Sequence, residues 1–72
     1  MPGREYRLVL EGELSDRLAV AFPGMDVARE HGNTTLSGPV RDQAELQGLL
    51  QRISSLGLTL LSATTVDRLG QD

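Results

Sequence analysis

A lone histidine, His31, and three closely spaced carboxylates, Glu11, Glu13 and Asp16, are the side chains here best suited to proton transfer. Histidine titrates nearest to neutral pH. Two neighbouring carboxylates can divide acid and base roles when their surroundings separate their pKa values. Neither feature has the usual supporting residues. In a chain without cysteine, His31 has no second nitrogen or sulfur donor beside it, so ordinary zinc lacks ligands. It reads as a surface residue flanking a turn. Glu11 and Glu13 flank Gly12, and Asp16 follows, a pattern that fits a solvated strand end leading into the acid-favouring start of a helix. Ser15, Ser37, Ser54, Ser55 and Ser62 offer hydroxyls, but none sits in a nucleophile-elbow motif. The glycines at 12, 24, 32 and 38 are dispersed at turns and form no phosphate-cradling loop. No catalytic, metal-ligating or cofactor-binding residue is expected, and no cofactor.

The elements that carry these residues follow from periodicity. Glu5 to Glu11 alternates as a strand, with Tyr6, Leu8 and Leu10 on one face and Arg7, Val9 and Glu11 on the other. Ser15 is placed to cap a short helix bearing Leu18, Ala21 and Phe22, which Pro23-Gly24 stops. Met25 to His31 reads as a second strand, with Met25 and Val27 inward. Gly32-Asn33 then fits a two-residue type II′ turn into a returning strand from Thr34 to Val40, which Gly38-Pro39 should end. Asp42 and Glu45 form a capping box for a helix whose Leu46, Leu49, Leu50, Ile53 and Leu56 share one face, closed by Gly57. Gly48 inside that helix is expected to serve close packing against a sheet. Leu58 to Val66 is a final strand with Leu58 and Leu60 toward the core, and 67–72 reads as a frayed tail.

Strand, helix, strand, strand, helix, strand is the split βαβ order. It predicts one α+β domain over 1–72, ordered over about 4–66. The expected fold is a ferredoxin-like βαββαβ sandwich, a four-stranded antiparallel sheet with both helices on one face. A chain of 72 residues has a small core and no disulfide to reinforce it, so self-association is plausible on physical grounds. Its net charge of −3 and its seven dispersed arginines argue against nucleic acid, which clustered basic surfaces bind. Tyr6 and Phe22, its only aromatics, leave little to stack bases on, and Thr35 and Ser37 are expected on the open face of the third strand. No apolar run approaches the ~20 residues that span a bilayer. The chain reads as cytoplasmic.

The stretch Leu36-Ser37-Gly38-Pro39-Val40-Arg41-Asp42-Gln43-Ala44-Glu45-Leu46-Gln47-Gly48-Leu49-Leu50, continuing through Ile53 to Leu56-Gly57-Leu58-Thr59-Leu60-Leu61-Ser62, resembles small uncharacterised bacterial proteins, many of them actinobacterial. These share an Asp-Gln…Leu-x-Gly-Leu-Leu…Leu-Gly-Leu pattern. The element order is also similar to that of ACT-type regulatory domains, a likeness of topology. That likeness implies a sensor for an amino acid or another small metabolite, with a ligand near Gly12, Glu13 and Ser15.

One anomaly remains on the open sheet face. Simple alternation puts Leu61 and Ala63 there beside Val9, an apolar patch bordered by Arg7, Thr59 and Thr65. Clustered exposed apolar residues mark interfaces more often than single ones do. The leading expectation is a non-enzymatic binding or accessory module, homodimeric or docking another protein through that face or through the edge of the last strand. The ACT-like sensor comes second, and a small dimeric enzyme of the isomerase or oxygenase kind third.

Overall fold

The computed structural model of the chain describes residues 4–66, so the frayed tail expected at 67–72 lies outside the described residues. The elements are β1 (Arg4–Glu11), α1 (Asp16–Ala19), β2 (Asp26–Glu30), β3 (Asn33–Val40), α2 (Gln43–Ser55) and β4 (Leu60–Val66). All strand pairs are antiparallel, in the order β2-β3-β1-β4, which puts β1 and β3 in the centre. The result is an α+β fold of one four-stranded sheet and two helices.

Alternation in the central strands builds the core. Leu8 and Leu10 of β1 are fully buried, with Leu8 opposite Leu36. On β3 the buried positions are Thr34, Leu36, Gly38 and Val40, every second residue. Leu14, Phe22 and Ile53 close over Leu8, Leu10 and Leu36, and Leu18, Leu49 and Leu50 pack against the same cluster. Both helices therefore feed side chains into one core.

Several local expectations need correction. α1 is four residues long, and Phe22, expected on the helix, is reached through tightened turns: Ala21 N–H donates to the Leu18 carbonyl and Phe22 N–H to that of Ala19. These i→i−3 bonds are what a helix too short to propagate falls back on. The hairpin turn is His31-Gly32 rather than Gly32-Asn33, since Glu30 pairs with Asn33. Both turn residues have positive φ, 54° and 80°, the requirement of a type I′ turn, whose twist matches the flanking strands. β3 also runs through Gly38-Pro39 to Val40. This is tolerable because β2 reaches only to the pair Asp26–Ser37, so Pro39 has no β2 neighbour awaiting its missing donor.

α2 begins as expected, with Asp42 Oδ1 accepting from Glu45 N–H at 2.9 Å. The returning bond of the capping box closes one residue early, on Arg41 N–H. The helix ends in a Schellman motif: Leu58 N–H donates to the Ile53 carbonyl and Gly57 N–H to that of Ser54, with Gly57 at φ 76°. Leu56 is the C-cap and is exposed, so it does not extend the buried face. Close packing at Gly48 is also overturned, because a Cβ built there meets nothing within 4 Å. The close approach is instead at Gly38, where a Cβ would lie 2.9 Å from Met25 Sδ and 3.0 Å from the Gly24 carbonyl oxygen.

Candidate functional site

β4 differs most from its expected geometry. Val9 pairs with Ser62 and Leu10 with Leu60, so Leu61 is an extra residue, a β-bulge. Side chains alternate with a period of two, so one inserted residue reverses which face all later residues occupy. Ala63 therefore stands opposite Leu8, and Thr65 opposite Tyr6, on the helix side of the sheet. The apolar patch of Val9, Leu61 and Ala63 is not formed on the open face. Val9 there has Thr35 and Ser62 as its cross-strand neighbours, and Arg7 has Ser37 and Thr64. Thr59 precedes the strand, its carbonyl accepting from Glu11 N–H at 2.9 Å.

The apolar residues are brought together along an edge instead. Every residue from Leu60 to Thr65 is exposed, including Ala63, although it shares a face with the buried Leu8. The helices thus leave β4 unroofed, and among the described residues no strand lies beside its outer edge. Leu60 is 36% exposed and Leu61 50%. The strand reads Leu-Leu-Ser-Ala-Thr-Thr-Val, seven residues without a charge or a proline. The opposite edge, β2, is Asp-Val-Ala-Arg-Glu, five residues of which three are charged. Charged side chains and short length are how sheet edges are kept from pairing with other chains. One edge of this sheet has that protection and the other lacks it. The contrast was present in the sequence, but it becomes informative only once the strand order shows which two strands are the edges.

The loop expected to receive a ligand is tied internally. Thr34 is fully buried; its Oγ1 accepts from Leu14 N–H at 2.9 Å and donates to the Gly12 carbonyl at 2.7 Å. Gly12 N–H faces Asn33 Oδ1 at 3.4 Å, and Ser15 Oγ caps Leu18 N–H at 3.4 Å. Arg29 reaches across from β2 to the Leu14 carbonyl at 2.6 Å and to Asp16 at 3.0 Å. The ties made by Thr34, Asn33 and Arg29 have no local signal in the sequence, because their partners lie on a different element. Glu13 is exposed. His31, also exposed, is a residue of the turn itself. Among the described residues no three His, Asp or Glu side chains are grouped to hold a metal, and no helix is long and apolar enough to cross a membrane.

Residues 5–64 match the sequence model of a family described as domain of unknown function DUF8691. The chain belongs to the DUF8691 family. The matched span includes β1 from its second residue, both helices, β2 and β3 entire, and β4 as far as Thr64. No curated protein and no solved structure matches the chain.

Proposed function

We propose that this chain is a cytoplasmic, non-enzymatic binding or accessory module of ferredoxin-like βαββαβ fold, and that it acts as a homodimer joined through the outer edge of β4. The observation that carries the reading is the asymmetry of the two edges: β4 is long, uncharged and unroofed, whereas β2 is short and charged. Two β4 strands running antiparallel about a two-fold axis would extend the sheet to eight strands, pair the free backbone edge, and cover part of the exposed surface of Leu60, Leu61 and Ala63. An uncharged edge meets its own copy without like-charge repulsion, which suits an isologous interface. The small core gains from the added burial.

Analytical ultracentrifugation tests the proposal on the wild type, Leu61→Lys on β4 and Ala28→Lys on β2. The wild type should sediment as a dimer, twice the 7.8 kDa chain mass. Leu61→Lys should be a monomer with an unchanged far-UV circular dichroism spectrum, because a lysine on a free edge is tolerated and blocks pairing. Ala28→Lys should remain dimeric. A monomeric wild type, a dimeric Leu61→Lys or a monomeric Ala28→Lys would each refute assembly through β4.

A further inference from the structure

On the helix side of β3, remote from β4, a half-open groove of about 300 Å³ lies between α2, the turn after α1 and the end of β3. Phe22, Met25, Pro39, Val40 and Leu49 give it apolar walls. Its volume is at the small end of ligand pockets, which run from ~300 to 1,000 Å³. We propose that this groove binds a small monocarboxylate with an apolar body, held through its carboxylate by Arg52.

Two independent observations carry the assignment. The first is Gly48, which lines the groove in the middle of α2. A glycine there costs the helix about 1 kcal/mol relative to alanine. Neither backbone nor packing calls for it: its φ is not positive, and an added Cβ would meet nothing within 4 Å. The missing side chain does keep the groove open one turn before Arg52, since residues four apart on a helix are neighbours.

The second is the charge balance of the lining. Arg52 donates through Nη1 to the Ala21 carbonyl at 2.8 Å, which fixes the guanidinium at the groove. No carboxylate pairs with it among the described residues. The groove's own acid, Glu45, is engaged elsewhere: Oε1 accepts from Arg41 N–H at 2.6 Å and lies 3.6 Å from Arg41 Nε. Glu45 is also seven residues from Arg52, about 10 Å along the helix at ~1.5 Å per residue. The groove therefore offers an apolar body site and one cation whose remaining N–H donors match a carboxylate. Two opposed charges for a zwitterion are not on offer.

The site uses no residue of β4, so it stands or falls separately from the dimer. The probes are hexanoate and 3-phenylpropionate, with hexylamine and 3-phenylpropanol as controls, titrated into ¹⁵N-labelled protein. Both acids should give saturable amide shifts centred on Phe22–Met25 and Gly48–Arg52, with a dissociation constant near or below ~1 mM. The amine and the alcohol should bind at least tenfold more weakly. Arg52→Gln should weaken acid binding at least tenfold. Gly48→Leu should abolish it while keeping or raising the melting temperature, because leucine favours a helix and has space to enter. Overturning results would be no saturable shift at ~10 mM of either acid, shifts centred elsewhere, equal binding of acid and alcohol, or unchanged affinity in either variant.

Discussion

Thr34 is a polar residue in the centre of an apolar cluster, 0% exposed and satisfied on both its donor and its acceptor sides. Its hydroxyl fixes the turn from β1 into α1, because it bonds two backbone groups of that turn, the buried Leu14 N–H and the part-buried Gly12 carbonyl. Thr34→Val keeps the shape and removes both bonds, leaving those two backbone groups without this partner. Each buried unsatisfied group costs about 1–3 kcal/mol, so the variant should lose about 2–3 kcal/mol. A urea titration would then show the midpoint falling by roughly 2 M, at an m-value of about 1 kcal/mol/M for a small domain. A change under about 0.5 kcal/mol would mean that the hydroxyl is not the tie it is drawn as. Composition could not single out this threonine. Its importance comes from β3 being central, which makes its inward positions the driest in the molecule.

At the scale of elements, the hairpin between β2 and β3 depends on a histidine in the left-handed region, φ 54° at His31. Asparagine adopts that region readily and a β-branched residue does so at a penalty of about 1–2 kcal/mol. His31→Asn should therefore preserve or raise the melting temperature, and His31→Val should lower it; equal melting of the two would show that the turn is not type I′. The histidine's place in the turn was half legible. Gly32 announced a turn, but whether it fills the first or second position depends on which residues pair across it, and Glu30 with Asn33 decides that. The facing of β4 is hidden for a related reason. Its apolar residues were visible, and alternation assigned them to faces, but the bulge at Leu61 belongs to the register with β1 and leaves no local signature. α2 was legible almost in full, because its cap, periodicity and C-terminal glycine are all encoded within it. Its two exceptions, Gly48 and Leu56, depend on what lies beside the helix, which periodicity does not report.

For the molecule as a whole, the core is one small cluster, and a domain of this size rarely holds more than ~3–5 kcal/mol from such a core alone. If β4 joins two copies, folding and association are linked, and stability rises with protein concentration by mass action. With an unfolding enthalpy near 0.7 kcal/mol per residue, a tenfold increase should raise the melting temperature by roughly 5 °C. Calorimetry over two decades of concentration reads this directly, and a constant melting temperature would mean a monomer. The central place of β1 also has a consequence in time. β1 is the first of the described strands to be synthesised, yet one of its two partners, β4, begins 49 residues after β1 ends. At ~5–20 residues per second, roughly 2–10 s pass on the ribosome before Leu60 is made. During that interval β1 can pair with β3 alone, and its other side, Glu5 to Leu10, is itself an open edge. The strand that ends up best protected in the finished sheet is thus the one that a growing chain must leave uncovered longest.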